Sequence, residues 1–145
     1  MTASSPRRVP VGVLAQAVPG SHLLGDPETM VSGVAYDSRQ VRPGDLFAAL
    51  VGADVNGHQF VSGAVAAGAG AVLVERDVPV AVPRIVVTDS RAALAQVAAE
   101  YYGHPSRELG VVGITGTDGK TTTSYLADGI FRANGYRTGM IGTIA

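Results

Sequence analysis

An α/β layer structure is the fold class this sequence predicts, and three observations predict it. Short apolar runs of strand length, Leu46 to Val51, Ala71 to Val74 and Arg84 to Thr88, recur between stretches with helical spacing. Strand and helix alternate, which suits a sheet covered by helices rather than a bundle or a sandwich. A glycine-threonine loop at residues 115–123 stands between a further apolar run and a further helix, the context of a phosphate-binding loop.

Taken in order, Val11 to Ala17 is a short helical stretch, punctuated by Pro10 and by Pro19-Gly20. Val31 to Ser38 reads as a strand that ends in the polar cluster Asp37-Ser38-Arg39, and Pro43-Gly44-Asp45 turns the chain into Leu46 to Val51. All-apolar strands of this kind are usually buried on both faces. Gly52 to Gly57 forms a loop, and Gln59 to Ala67 a helix with Phe60, Ala64 and Ala67 on one face, closed by Gly68-Ala69-Gly70. After the Ala71 to Val74 strand and a proline-spaced segment, Arg84 to Thr88 is a third buried strand. Asp89 or Ser90 can cap the next helix, in which Leu94, Val97, Ala98 and Tyr101 fall at i, i+3, i+4 and i+7. The polar stretch Gly103 to Glu108 contains His104-Pro105, which cannot easily continue a helix, and reads as a linker. Beyond it come a strand at Leu109 to Ile114, the glycine-rich loop, a helix, and a strand at about Thr138 to Ile144.

A length of 145 residues suits one ordinary domain, with a second complete one a tight fit. Hydrophobic residues at 46% and charged residues at 16% provide a real core, and a net charge of −1 gives no field that would draw the chain to nucleic acid or an anionic membrane. The absence of cysteine excludes disulfides, thiolate nucleophiles and cysteine metal sites. Val11 to Val18, interrupted by Gln16, is too short and mixed to span a membrane, so a cytoplasmic location is expected, with neither a membrane nor a nucleic-acid partner. His22, His58 and His104 lack ligand spacing and read as surface or turn residues. Asp128 is expected on the solvated face of its helix, because Leu126 and Ile130 define an apolar side, and Tyr101-Tyr102 is expected to close the core at the linker.

Lys120 is the only lysine among eleven basic residues. It follows Gly116-Thr117-Asp118-Gly119 and precedes Thr121-Thr122-Thr123. A compact ammonium on a flexible stem reaches between phosphate oxygens where a planar guanidinium needs a wider partner. Glycines let several backbone N–H groups converge, and the helix that follows adds partial positive charge at its start. Lys120 would neutralise the β- and γ-phosphates, and Thr121 would offer a hydroxyl to Mg²⁺. The usual pattern G-x-x-x-x-G-K-[ST] requires glycine where Ile114 stands, so the loop is a shortened one, Gly116 to Thr121. The bland alternative is a glycine-rich turn with an incidental lysine. No G-x-G-x-x-G spacing for a dinucleotide occurs.

The run from Gly113 to Thr123 resembles the ATP loop of the Mur ligase family. Asp37-Ser38-Arg39 with the segment Pro43 to Gly52, and Gly139 to Thr143 downstream, are similar to the MurE-type subgroup, which acts on UDP-N-acetylmuramoyl-L-alanyl-D-glutamate. The resemblance implies that residues 1–107 form a domain holding the UDP end of this precursor and that 108–145 begin the central ATP-binding domain as its first β-α-β unit. It implies that Tyr36 and Ser38 contact the uridine nucleotide, with Ala53, Asp54 and Val55 as a second contact loop. It implies ATP contacts from Gly116, Thr117, Asp118, Gly119, Lys120, Thr121 and Thr122, with Mg²⁺ held through Thr121 and the nucleotide. Without the resemblance, Asp37-Ser38-Arg39 reads as a structural turn with a solvated salt bridge. Asp118 departs from the family's more frequent asparagine, and Asn56-Gly57 stands where Asp-Gly is common. The implied reaction activates the D-glutamate carboxylate as an acyl phosphate, which the amine of a third amino acid attacks. The acidic and modified-lysine metal elements and the amino-acid-binding domain of the family lie beyond Ala145, so the 145-residue chain alone is expected to have little or no ligase activity. Two other readings stay open: a non-catalytic nucleotide-binding module, and a sister ligase of the MurF or folylpolyglutamate type, against which Asp37-Ser38-Arg39 and Gly142-Thr143 weigh.

Overall fold

The computed structural model describes residues 7–52 and 55–142. The chain divides into two compact units, Met1–Pro105 and Ser106–Ala145. In the first, the elements run β1 (Val9–Pro10), α1 (Val11–Gln16), β2 (His22–Leu24), β3 (Met30–Val31), β4 (Gly33–Ala35), a 3₁₀ turn (Ser38–Gln40) and β5 (Asp45–Ala48). They continue with a 3₁₀ turn (Gly57–Phe60), α2 (Val61–Ala66), β6 (Ala71–Val74), β7 (Arg84–Val86) and α3 (Ser90–Tyr102).

Among the described residues, β2-β7-β6-β5-β4 form a five-stranded sheet and β1-β3 a two-stranded one. The pairs β4-β5, β5-β6 and β6-β7 are parallel, and β2 joins the edge antiparallel, with Leu23 opposite Ile85. The α/β class follows from the sequence: β5 and β6 are wholly apolar after Asp45 and are buried throughout, as strands covered on both faces require. Leu46, Ala48, Leu73 and Ile85 face a cluster with Val11, Leu14, Ala93 and Val97 of α1 and α3. Phe47, Val72 and Val74 face the other way, onto Val61 and Ala64 of α2. Burying Phe47 alone stabilises the unit by roughly 1.5–3 kcal/mol.

Several elements differ in detail from the sequence pattern. The expected strand Val31 to Ser38 is divided: Val31 pairs with Val9, while Gly33–Ala35 pairs with β5. Phe60 is exposed, and Val61 with Ala64 makes the buried stripe of α2, because a 3₁₀ turn before the helix shifts its phase. In α3 the buried apolar positions are Ala93, Val97 and Tyr101, each four apart, and Leu94 and Ala98 sit at the flanks. Strand β2 has no counterpart in the pattern; it is three residues long and pairs only along one edge.

The expected cap of α3 is present. Asp89 accepts from the Arg91 and Ala92 amides, both at 2.9 Å, satisfying two of the four donors that a helix start leaves open. Gly103, in the left-handed region at φ 76°, ends the helix as its C-cap. Asp89→Ala should lower stability by about 1 kcal/mol, read as the urea midpoint at constant slope. No change in midpoint would show that Asp89 contributes nothing there.

In the second unit, a 3₁₀ turn (Pro105–Arg107) begins near the boundary and α4 spans Lys120–Ala133. The strands expected at Leu109 to Ile114 and Thr138 to Ile144 do not form among the described residues; 143–144 lie outside them. A strand is defined by its ladder partner, and neither segment has one: Val111 and Val112 are 72% and 62% exposed. The β-α-β unit is therefore represented by its helix and loop. Leu126 and Ile130 are each 64% exposed rather than forming a covered apolar side. Asp128 is the less exposed position. Its carboxylate is only 19% accessible, accepts from the Thr138 hydroxyl and pairs with Arg132 at 2.8 Å, and these hydrogen bonds, Thr138 first, hold it below the usual carboxylate range. The segment after α4 thus folds back along it, and the Phe131 and Tyr136 rings meet edge to face at 6.0 Å.

Candidate functional site

The parallel order of β4 to β7 brings four strand carboxyl ends to one edge of the first unit's sheet. Tyr36 and Asp37 follow β4, Ala49 to Gly52 follow β5, Glu75 follows β6, and Val87 to Ser90 follow β7. Ligands of open α/β sheets bind outside such ends. Of the residues expected to contact a uridine nucleotide, Tyr36, Ser38 and Val55 fall at this edge, with Tyr36 69% exposed. Ala53 and Asp54 lie outside the described residues.

Ser38 opens the 3₁₀ turn that Asp37 caps. Arg39 grips the Asp37 carboxylate with two parallel bonds, Nε to Oδ1 at 2.9 Å and Nη2 to Oδ2 at 2.7 Å, and its amide donates to Oδ1 at 3.0 Å. The Arg39 side-chain bonds, then its amide, hold the Asp37 carboxyl down to about 2. Asp37 and Arg39 are thus committed to each other, and the half-buried Ser38 hydroxyl between them makes no hydrogen bond among the described residues. The salt-bridged turn anticipated for these residues is present, and it is the structure that sets Ser38 at the strand end.

After β5, the described residues Leu50 to Gly52 pair with Val55 to Gly57 as the base of a hairpin. The Gly52 amide donates to the Val55 carbonyl at 2.9 Å, Val51 bridges Asn56, and the Gly57 amide returns to the Leu50 carbonyl at 2.8 Å. His58 stands at its base, in the 3₁₀ turn; of the surface or turn position expected for it the turn is present, but the residue is buried, at 8% exposed. Its ring sees partners that no local pattern announces. The Glu75 amide donates to Nε2 at 2.9 Å, so the proton belongs on Nδ1, which faces Asn56 Oδ1 at 2.8 Å. Asn56 Oδ1 also accepts from the His58 amide at 3.0 Å. Glu75 in turn accepts from the Ser90 amide at 2.8 Å and hydroxyl at 2.7 Å, which lower its pKa. One chain of hydrogen bonds therefore links the hairpin, the end of β6 and the start of α3.

In the second unit the glycine-rich loop leads into α4 through Gly119, in the left-handed region at φ 73°, and no side chain caps the helix. Among the described residues the Thr121 and Thr122 amides find no backbone acceptor. Open donors at a helix start are suited to phosphate oxygens. Lys120 folds back over its own loop, with Nζ donating to the Gly116 carbonyl and to the Thr117 carbonyl at 3.0 Å. Gly116, Thr117, Asp118, Gly119, Lys120, Thr121 and Thr122 are all exposed. The donor set is an ammonium, two free amides and the Thr121 hydroxyl, and it fits a nucleotide phosphate with its Mg²⁺.

A mixed α/β unit with four strand carboxyl ends at one edge, and a glycine-rich loop at a helix start, are features suited to binding nucleotides. The profile described as "Mur ligase family, catalytic domain" matches residues 30–102, and the chain belongs to the Mur ligase family. That match covers strands β3 to β7 and α3 and ends before the phosphate loop. Among curated relatives, the UDP-N-acetylmuramoyl-L-alanyl-D-glutamate–2,6-diaminopimelate ligase of Listeria monocytogenes serotype 4b is 47% identical over 131 residues, 90% of this chain and 27% of the relative. The chain thus spans about a quarter of the length of such relatives. Among solved structures, a crystal structure of MurF from Acinetobacter baumannii superposes with a TM-score of 0.74 at 32% identity, over 90% of this chain and 29% of that one. MurF ligase from Thermotoga maritima in complex with ADP gives a TM-score of 0.57 at 34% identity, over 69% and 23%. Among the described residues no helix is long and apolar enough to cross a membrane.

Proposed function

We propose that this chain carries the precursor-holding unit and the phosphate loop of a cytoplasmic ligase that adds the third amino acid to UDP-N-acetylmuramoyl-L-alanyl-D-glutamate in peptidoglycan synthesis. The observation that carries this reading is the 47% identity, across 90% of the chain, to a ligase named for that substrate and for diaminopimelate. MurF structures are similar at 32%, so the MurE-type precursor is preferred over that of the sister enzyme.

In this reading residues 1–107 hold the UDP end of the precursor and 108–145 begin the ATP-binding domain. Tyr36 offers an exposed ring, the Ser38 hydroxyl offers a donor and acceptor, and Val55 approaches from the β5 end, with Ala53 and Asp54 as further contacts by the resemblance. In the second unit the amides from Gly116 to Thr122 and the start of α4 receive phosphate oxygens, and Lys120 exchanges its carbonyl partners for the β- and γ-phosphates. Thr121 presents its hydroxyl to Mg²⁺, which supplies charge neutralisation at the phosphates when bound. A carboxylate resists attack by an amine until one oxygen becomes a leaving group. The γ-phosphoryl group therefore passes to a D-glutamate carboxylate oxygen as ADP departs, and the amine of the incoming amino acid attacks the acyl carbon and displaces phosphate. Lys120 stabilises charge on the group in transfer.

Calorimetric titration of the chain with UDP-N-acetylmuramoyl-L-alanyl-D-glutamate should show saturable binding, weakened about tenfold in Ser38→Ala by loss of one hydrogen bond to a charged or polar nucleotide group. Absence of precursor binding by the wild-type chain would sink the assignment of the first unit.

A further inference from the structure

We propose that His58 is a positioning residue for the uridine-nucleotide site, fixing the bridged pair Val51 and Asn56 to the end of β6 and the start of α3. This rests on the precursor-binding reading given above. His58 is too buried to meet the ligand itself; its ring is enclosed at the hairpin base. Its influence runs through Asn56. The Asn56 carboxamide is held by two bonds from one residue, the His58 amide at 3.0 Å and Nδ1 at 2.8 Å. The Asn56 backbone bridges Val51, and Val55, one residue earlier, accepts from Gly52. Turning the ring turns Asn56, and Asn56 sets where Val55 is presented. On its far side the ring is anchored by a backbone amide, that of Glu75, which cannot follow it, because the Glu75 side chain is held by Ser90 at the start of α3.

The device works in one protonation state. Nε2 must be bare to accept the Glu75 amide, so a protonated ring would set two N–H groups against each other. The charged groups that face the ring are Arg76 and Glu75 at the end of β6, and Asp89 at the start of α3 faces Glu75. Burial first, then Arg76, pushes the His58 pKa below 6.5, with Glu75 opposing. For a histidine depressed in this way the folded state takes up its proton less readily than the unfolded chain, so its contribution is present above pH 6.5 and is lost as pH falls through the folded value. Asn56 completes the arrangement, since aspartate at this position would place a negative charge against Nδ1–H and favour the charged ring.

The test is the affinity of the chain for UDP-N-acetylmuramoyl-L-alanyl-D-glutamate, whose diphosphate diester and carboxylates stay ionised between about pH 5.5 and 7.5. Four proteins are compared: wild type, His58→Ala, His58→Gln and Asn56→Asp. Glutamine can offer an oxygen to the Glu75 amide and has no proton to gain. At about pH 7.5, His58→Ala should bind roughly tenfold more weakly while His58→Gln keeps most of the affinity. Wild-type affinity should fall on the acid side of 6.5. That acid limb should vanish in His58→Gln and move to higher pH in Asn56→Asp. If the wild-type chain binds, Ser38→Ala weakens binding, and the His58 variants match wild type at every pH, the positioning role is overturned while the substrate reading survives. Lack of binding by the wild-type chain overturns both. Should His58→Ala fail to fold, the pH profiles decide: superimposable curves for wild type, His58→Gln and Asn56→Asp overturn the role.

Discussion

Gly57→Ala should destabilise the first unit by about 3 kcal/mol or more and remove precursor binding with it, because the added methyl has nowhere to go. A Cβ on Gly57 would lie 2.6 Å from the Leu50 carbonyl oxygen, 2.7 Å from the Leu50 nitrogen and 2.9 Å from the Ala49 carbonyl carbon. All three are backbone atoms, directly beyond a fully buried strand, so no rotamer change relieves the overlap. The chain after β5 has to move away, and Asn56 and His58 move with it. A urea titration gives the loss as a lower midpoint at unchanged slope. Gly63→Ala is the control: it lies within α2, nothing stands within 4 Å of the added carbon, and alanine should stabilise that helix by roughly 0.5–1 kcal/mol. Equal midpoints for the two variants would mean that the hairpin base yields freely.

Lys120→Ala should weaken ATP binding in the presence of Mg²⁺ by about tenfold to a hundredfold, the equivalent of losing one charge-assisted contact to phosphate. The same change should leave α4 at least as stable as before. Lys120 is the first residue of that helix, where a positive charge opposes the helix dipole and alanine is the better helix former. Binding and stability therefore move in opposite directions, which separates loss of a ligand contact from damage to the fold. Lys120→Arg should restore the charge without restoring the affinity, since a planar fork does not fit where the Gly116 and Thr117 carbonyls hold a single ammonium. Titration calorimetry with ATP reads the first effect and circular dichroism the second. An unchanged ATP affinity in Lys120→Ala would remove this lysine from the phosphate site.

What the sequence disclosed is what local pattern can encode. Leu46 to Ala48 and Ala71 to Val74 announce buried parallel strands by having no polar face, Asp89 announces a cap, and Gly119-Lys120-Thr121 announces a loop at a helix start. The misread residues are those whose partners are distant. His58 has its acceptor role set by an amide seventeen positions on, and nothing within a window of local periodicity could place it indoors. Strand β2 owes its existence to Arg84–Val86, sixty residues later in the chain, and three residues between Gly20 and Gly25 carry too little pattern to be seen. Leu126 and Ile130 have the spacing of a core stripe, but spacing alone does not supply the surface that covers it. Asp128 has its environment set by Thr138, ten residues on and outside its own helix.

Strands β4, β5, β6 and β7 lie side by side in the order in which a ribosome would deliver them. Each can dock on its predecessor as it emerges. The segment around α1 is different: Val9 pairs early with Val31, but Val9, Val11 and Leu14 also share their buried cluster with Val97 and Tyr101, and the Tyr101 hydroxyl donates to the Arg7 carbonyl across 94 positions at 2.7 Å. That cluster is thus completed late, and a growing chain carries part of an apolar face uncovered until translation has passed Tyr101.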